Sequence, residues 1–370
     1  MTRRRFMNLS LAASARLGLA WRLERGFSSA SEFRRVDELA SEYAAAYDVP
    51  GLSLAYGRGD RILFTRAYGK ADRHMHEPVT PLSLFRIASI TKPFTSAAIF
   101  TLVEAGTLRT SDHVFGAAGI LSNFTLRSHA DWLQAITVEH LLTHTSGGWP
   151  NKNFDPMIHV KDRGHTAVIQ GTLDSYPMQF APGRNYAYSN FGYFLLGRVI
   201  EKVSGIPYGE YVRQHVQTPL GITDMRLATE TPAPGEVHYY GQGRDDPYAF
   251  PIAMHDSIGG WIATPTDLVR FALAVFSPED RAGAPELLKA DTLRQMTTAS
   301  KANPEYACGW DGSAGGDRFH SGGLPGTASF LMHRHDGLAW AVVVNTRREH
   351  SKMEKDLHQL SWDIARALQM

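Results

Sequence analysis

The two ends of this 370-residue chain read as strands, and the stretch between them reads as helices. Near the N-terminus, "GLSLAYGRGDRILFTRAYG" (residues 51–69) sets two β-type runs around Gly57-Arg58-Gly59-Asp60, the pattern of a hairpin. Near the C-terminus, "TASFLMHRHDGLAWAVVVNT" (327–346) does the same around His335-Asp336-Gly337. The middle, to about residue 255, is rich in helical patterns, Gly-Pro loops and aromatics. It includes "NFGYFLLGRVIEKVSG" (190–205), a helix expected to stop at Gly205. Leu39, Tyr43 and Tyr47 have helical spacing within residues 36–49, and a closing helix is expected over 352–368. Strands with an apolar face must pair and be covered. The compact solution is an α+β fold: one antiparallel sheet from both chain ends, flanked by the terminal helices, with a mostly helical lobe over roughly 94–255 inserted between its halves. Residues 35–370 are expected to form this domain, with 1–34 as a separate N-terminal segment. The junction of sheet and lobe is the natural place for a cleft.

Composition narrows the function. Hydrophobic residues make up 43% and charged residues 20%, ordinary for a soluble globular enzyme. A net charge of +1 offers no field for nucleic acid, so no nucleic-acid partner is expected. The one cysteine, Cys308 in "EYACGW", excludes an intrachain disulfide and reads as a small buried residue rather than a catalytic thiol. No run of about 18 apolar residues occurs, so no stable membrane insertion is expected. "TRRRFMN" (2–8) resembles a twin-arginine export signal, but Arg16 interrupts the apolar stretch after it, and a plain basic helix is the alternative. Cytoplasm and periplasm both stay open, as does the oligomeric state.

The chemistry begins at "FRIASITKPF" (85–94), which holds the chain's only Ser-Xaa-Xaa-Lys, Ser89 to Lys92. On a helix these two share a face about 5–6 Å apart. A serine hydroxyl is a weak nucleophile until a base takes its proton, and a lysine with a depressed pKa can do that. A capping serine with a solvated lysine would give the same letters. "PGRNYAYSNFGY" (182–193) carries the only Tyr-Xaa-Asn. Tyr188 could shuttle a proton if a neighbouring lysine acidifies its phenol, and Asn190 could bind a substrate carbonyl or hold the lysine. The alternative is a turn with Asn190 as helix N-cap and Tyr188 packed. "HSGGLPGTASF" (320–330) reads as a glycine-rich turn entering a strand. His320 would point into a cleft and the Gly323 N–H could stabilise an oxyanion, or the stretch could be only the start of a tight hairpin.

Taken in order, Ser-Xaa-Xaa-Lys, Tyr-Ser-Asn and His-Ser-Gly resemble the motif set of the serine β-lactamase and penicillin-binding-protein superfamily. The middle element resembles class C β-lactamases and their esterase and peptidase relatives. "ITVEHLLTHTSG" (136–147) and "SIGGWIATPTDLVRFA" (257–272) also look like blocks of that family. The resemblance spans about residues 35–370 and implies a β-lactamase/transpeptidase-like fold. It implies Ser89 as acylated nucleophile, Lys92 as the group that eases its deprotonation, and Tyr188 as general base and then acid. It implies Asn190 orienting Lys92 and substrate, and His320, Ser321, Gly322 and Gly323 lining the substrate. The oxyanion hole would be the N–H groups of Ser89 and Gly323. No metal or organic cofactor is implied.

His320 departs from the Lys-Thr-Gly form. A lysine there is a fixed cation for a β-lactam carboxylate, whereas an unpaired histidine is mostly neutral at pH 7. The substrate order expected is therefore a small ester first, a D-amino-acid peptide second, as in a D-alanyl-D-alanine carboxypeptidase or D-aminopeptidase, and a β-lactam third. A silent peptidoglycan-binding or sensor protein on the same fold is the alternative of another class. His140 and His144 have the i, i+4 spacing of a metal pair but lack the zincin glutamate order. No Gly-Xaa-Ser-Xaa-Gly elbow is present, against an α/β-hydrolase. Trp149 and the loop 246–256 are expected along the cleft.

Overall fold

The computed structural model describes residues 30–157, 164–242, 246–276, 287–313 and 315–370. The twin-arginine-like stretch lies outside the described residues. Helix α1 (Ala30–Tyr47) leads into strands β1 (Gly51–Arg58) and β2 (Arg61–Asp72). Their turn passes through Gly59 at φ 61°, a left-handed conformation that glycine adopts without a Cβ penalty. A short β3 (Glu77–Pro78) follows, then helix α2 (Thr91–Glu104). Helix α3 (Asn190–Ser204) is the central helix of the middle region, and α4 (Pro265–Phe276) returns the chain to the sheet. Strands β4 (Asp311–Gly312), β5 (Arg318–Leu324), β6 (Thr327–His333) and β7 (Leu338–Val344) precede the closing helix α5 (Met353–Ala367).

The seven strands form one sheet in the order β3-β2-β1-β7-β6-β5-β4, with every neighbouring pair antiparallel. The two chain ends meet at its centre, where β1 and β7 pair from Leu52↔Val344 to Arg58↔Leu338. Every residue of β7 is buried, because helices cover both faces. Leu338, Trp340, Val342 and Val344 pack with Val36 of α1 and Leu357, Leu360 and Ile364 of α5. Ala339, Ala341 and Val343 face the core shared with α4. Small residues on that face let α4 sit close: a Cβ on Gly57 would lie 2.8 Å from Val269. Burying each large aliphatic side chain contributes about 1.5–3 kcal/mol, so this two-sided sheet is the main stabilising element.

Local signals decide the helix ends. In α3 the N-cap is Ser189, whose hydroxyl accepts from the Gly192 N–H at 3.2 Å, and Gly205 closes it at φ 71°. Asn190 is thus the first helical residue rather than the cap. A small ribbon of Phe85–Arg86, Trp261–Ala263 and Arg226–Leu227 ties the middle region to the start of α2. "HSGG" is not a turn as the sequence suggested. It lies inside β5, and the reversal comes at Pro325-Gly326, with Gly326 at φ 77°. No helix among the described residues is long and apolar enough to cross a membrane.

Candidate active site

Ser89 sits in a single 3-10 turn, Ala88–Ile90, just before α2. Ala88 before it is fully buried at φ 48°. Such a left-handed alanine costs about 1–2 kcal/mol, and packing holds it in place. Part of that packing is β5: a Cβ on Gly322 would lie 2.4 Å from the Ile87 carbonyl and 3.0 Å from the Ala88 Cβ. Glycine therefore lets the strand close on the serine turn.

Lys92 is 0% exposed, one turn along α2. Its Nζ lies 3.2 Å from Ser89 Oγ and donates to the Ile258 carbonyl at 3.0 Å. Burial pushes its pKa down to about 7, and the Asp155 carboxylate partly opposes the fall. The amine stands 5.0 Å from the centre of the Tyr188 ring, and the phenol hydrogen-bonds Ser89. The expectation that the lysine acidifies Tyr188 fails. Burial raises the phenol pKa more than the Ser89 hydrogen bond lowers it. Near neutral pH the tyrosine keeps its proton and the lysine is the group that gives one up.

Asn190 does not hold Lys92. Its Nδ2 donates to Asp155 Oδ2 at 2.8 Å, and its backbone N–H donates to Asn151 Oδ1 at 2.7 Å. The Ile258 carbonyl takes the anchoring role expected of it, and Asn190 reaches the lysine only through the charge of Asp155.

His320 is 2% exposed on β5. Its Nδ1 donates to the Ser321 carbonyl at 2.7 Å, and its Nε2 is buried with no partner among the described residues. Burial first, and then Lys92, push its pKa down to about 3, so the ring is neutral. Ser321 itself is exposed. Leu324 and Thr327 face each other across the two-residue turn. The backbone groups of His320, Gly322 and Leu324 therefore bond to β6, and those of Ser321 and Gly323 point to the opposite edge. β4 covers only Arg318 and Phe319 of that edge. The rest, with the Gly323 N–H, is left open beside the Ser89 turn, against which β5 packs.

A model of one protein family, described as Beta-lactamase, matches residues 36–361. The chain belongs to the beta-lactamase family. Penicillin-binding protein 4* of Bacillus subtilis is 27% identical over 82% of this chain and 70% of its own length. Esterase EstB of Burkholderia gladioli is 30% identical over 75% of this chain and 72% of its own. Among solved structures, D-amino acid amidase from Ochrobactrum anthropi superposes with a TM-score of 0.75 at 23% identity, covering 91% of this chain and 98% of that one. That likeness shows the shared fold.

In this beta-lactamase-family site, several groups beyond the sequence motifs shape the chemistry. His144, 1% exposed at φ 55°, packs with its ring centre 4.3 Å from that of Tyr188, the two planes tilted by 41°. Its Nδ1 accepts from the Ser189 N–H at 3.1 Å and its Nε2 donates to the Tyr306 hydroxyl at 3.0 Å. Both ring nitrogens are used, and burial keeps the ring neutral. It holds the backbone next to Tyr188 and is not half of a metal pair. Its supposed partner, His140, closes a capping box with Thr137. Tyr306 carries no sequence signal, since the fold brings it in from far along the chain, and the Ile258 carbonyl lies in the quoted 257–272 block, which gave no hint of its contact with Lys92. His144 lies in the quoted "HTSG" block, which marked its importance but not its role. Trp149 is 1% exposed and packs edge-on against Phe191, in the core rather than along the cleft. Cys308 is buried, and burial raises its thiol pKa, so it is no nucleophile.

Proposed function

We propose that this serine hydrolase cleaves small acyl esters through an acyl-enzyme on Ser89. The observation that carries the reading is Lys92: fully buried, 3.2 Å from Ser89 Oγ, with its pKa brought down to about 7. In its neutral form the amine takes the Ser89 proton as Oγ attacks the ester carbonyl. The negative charge that develops on the carbonyl oxygen is received by the N–H groups of Ser89 and Gly323. Tyr188 donates its phenolic proton to the departing alkoxide and recovers one from Lys92. Water then attacks the acyl-enzyme with its proton passing to the same pair, and Ser89 leaves protonated. Residues 35–370 are taken as the hydrolase domain, although α1 already begins at Ala30.

Esters come first because leaving-group expulsion from an ester needs the least proton assistance, which suits a phenol kept protonated by burial. Amides and peptides of D-amino acids are the second reading, favoured by a neutral His320 where a fixed cation would stand. The same neutrality puts β-lactams third. A silent binding protein would have no use for an amine held at such cost beside a serine. Hydrolysis of p-nitrophenyl butyrate tests the proposal. Turnover by the wild type and its loss in Ser89→Ala is the expected result. Equal turnover by both proteins would overturn it.

A further inference from the structure

The base of the proposed reaction is aimed by a stretch of backbone. Lys92 Nζ donates to the Ile258 carbonyl at 3.0 Å and stands 3.2 Å from Ser89 Oγ. A neutral amine has one lone pair and two N–H bonds. With one N–H held by Ile258, rotation about the last C–N bond is restricted and the lone pair can face the Ser89 proton. The Ile258 carbonyl is itself held, because the peptide groups on both sides of Ile258 bond through N–H and C=O alike. The Ile258 and Gly259 N–H groups donate to the His255 carbonyl at 3.0 and 2.8 Å. The Ser257 carbonyl accepts from Thr95 Oγ1 at 2.8 Å.

Thr95 follows Lys92 by three residues on α2, so the two side chains share a face. They take successive carbonyls, Lys92 that of Ile258 and Thr95 that of Ser257. The Thr91 carbonyl is a more distant acceptor for the Thr95 hydroxyl, at 3.3 Å. Thr95 Oγ1 also lies 2.7 Å from the Tyr208 hydroxyl, which accepts from Trp261 Nε1 at 3.1 Å. An indole N–H only donates and a carbonyl only accepts, so the direction of this chain is fixed. Trp261 donates to Tyr208, Tyr208 to Thr95, and Thr95 to Ser257. All four residues are buried. Removing the Thr95 hydroxyl would leave the Ser257 carbonyl and the Tyr208 proton unpartnered away from water.

Resting on the serine hydrolase reading, we propose that Thr95, backed by Tyr208 and Trp261, is a positioning residue that fixes the Ser257–Ile258 backbone so that the Ile258 carbonyl aims the Lys92 amine at Ser89. Without the Thr95 hydroxyl this segment relaxes away from α2, and the amine loses both its aim and its acceptor. An acceptor favours the ammonium over the neutral amine, so its loss also makes Lys92 easier to deprotonate. The other groups facing Lys92 leave that signal readable. The Asp155 carboxylate, which acts on Lys92 by charge, is untouched by a change at Thr95. Burial keeps His144, His255 and His320 neutral, and it keeps the Tyr188 and Tyr193 phenols protonated.

Thr95→Val keeps the shape of the side chain and removes its hydroxyl. The test measures kcat/KM for p-nitrophenyl butyrate between pH 5 and 9, divided by the fraction of sites that a fluorophosphonate labels at completion. Per labelled site, the high-pH plateau should fall by about 10- to 100-fold, the cost of a misplaced base. The midpoint should move below that of the wild type by about 0.5–1 unit. Thr95→Ser returns the hydroxyl and should return both values toward the wild type. A threonine that served stability alone would lower the labelled fraction and leave the per-site plateau and midpoint unchanged, and that result overturns the proposal. If Thr95→Val gives no folded protein, Tyr208→Phe carries the test, since it leaves Thr95 in place without its donor. Plateau and midpoint should then move in the same directions by less, and wild-type values overturn the proposal. If the wild type turns over the ester through Ser89 and these variants match it per site, the positioning role is wrong and the hydrolase reading stands. If the wild type shows no turnover that Ser89→Ala abolishes, the hydrolase reading fails and this role falls with it.

Discussion

Removing the charge of Asp155 should move the pH at which the enzyme switches on. Lys92 is buried and its pKa falls from 10.5 to about 7. That fall corresponds to about 5 kcal/mol against the ammonium form. If the neutral amine is the base, kcat/KM must rise with pH, reach its midpoint near 7 and level off above. Asp155 works against this by stabilising the ammonium. Asp155→Asn keeps the shape of the side chain, and its carbonyl oxygen can still accept from Asn190 Nδ2 or the Met157 N–H, now 2.8 and 2.9 Å away. With the carboxylate gone the ammonium is less stable, so the midpoint moves down. A close opposite charge moves a pKa by about 1–3 units. Asp155 is the lesser of two opposing causes here, so a shift of about 0.5–1 unit is expected, roughly 1 kcal/mol. The assay is kcat/KM for p-nitrophenyl butyrate between pH 5 and 9 at constant ionic strength, corrected for spontaneous hydrolysis. A wild-type profile flat through this range, or a midpoint that rises in Asp155→Asn, would refute the assignment of Lys92 as base.

Three further outcomes are expected. Tyr188→Phe removes one hydroxyl and keeps the ring against His144, so kcat should fall by about 10²–10⁴-fold, and an unchanged kcat in the folded variant would leave proton transfer to Lys92 alone. His144→Phe strands the Ser189 N–H and the Tyr306 hydroxyl, each at about 1–3 kcal/mol, and urea unfolding should show a loss of about 2–5 kcal/mol in total. Asp311 has a folded-state pKa of about 6, above its ordinary 3.8, so the folded protein holds this proton longer than the unfolded chain does. Its burial therefore lowers stability progressively from pH 4 to 6 and fully above, and Asp311→Asn should stabilise the protein by about 1–3 kcal/mol at pH 8 but not at pH 3.5; equal effects at both pH values would show that the carboxylate is not held away from water.

The sheet was legible because its strands carry their own signals. The hairpin around Gly59, the pair of runs around His335-Asp336-Gly337 and the helix stop at Gly205 all appear where local chemistry requires them. "HSGG" misled because two adjacent glycines suggest a turn, while here Gly322 thins a strand so that it can approach Ala88 and Gly323 leaves room for Arg347 and Glu354 on the other face. Ser89, Lys92 and Tyr188 were readable as motif residues, and the structure brings them together. The protonation states of Lys92 and Tyr188 were not readable. Both are set by burial, which depends on packing from α3, the Ile258 segment and β5. Asn190 was assigned to Lys92 because Asp155 and Asn151, its actual partners, lie in a stretch with no readable pattern. Tyr306 and His144 are 162 residues apart in sequence and meet only through the fold.

The central claim is that Ser89 becomes acylated. It is tested most directly by reacting the protein with a fluorophosphonate, digesting it and locating the added mass. The account predicts one equivalent of label on the peptide that carries Ser89, none in Ser89→Ala, and labelling that slows below pH 7 as Lys92 takes up its proton. Label of equal extent in Ser89→Ala, or label on another peptide of the wild type, would contradict it.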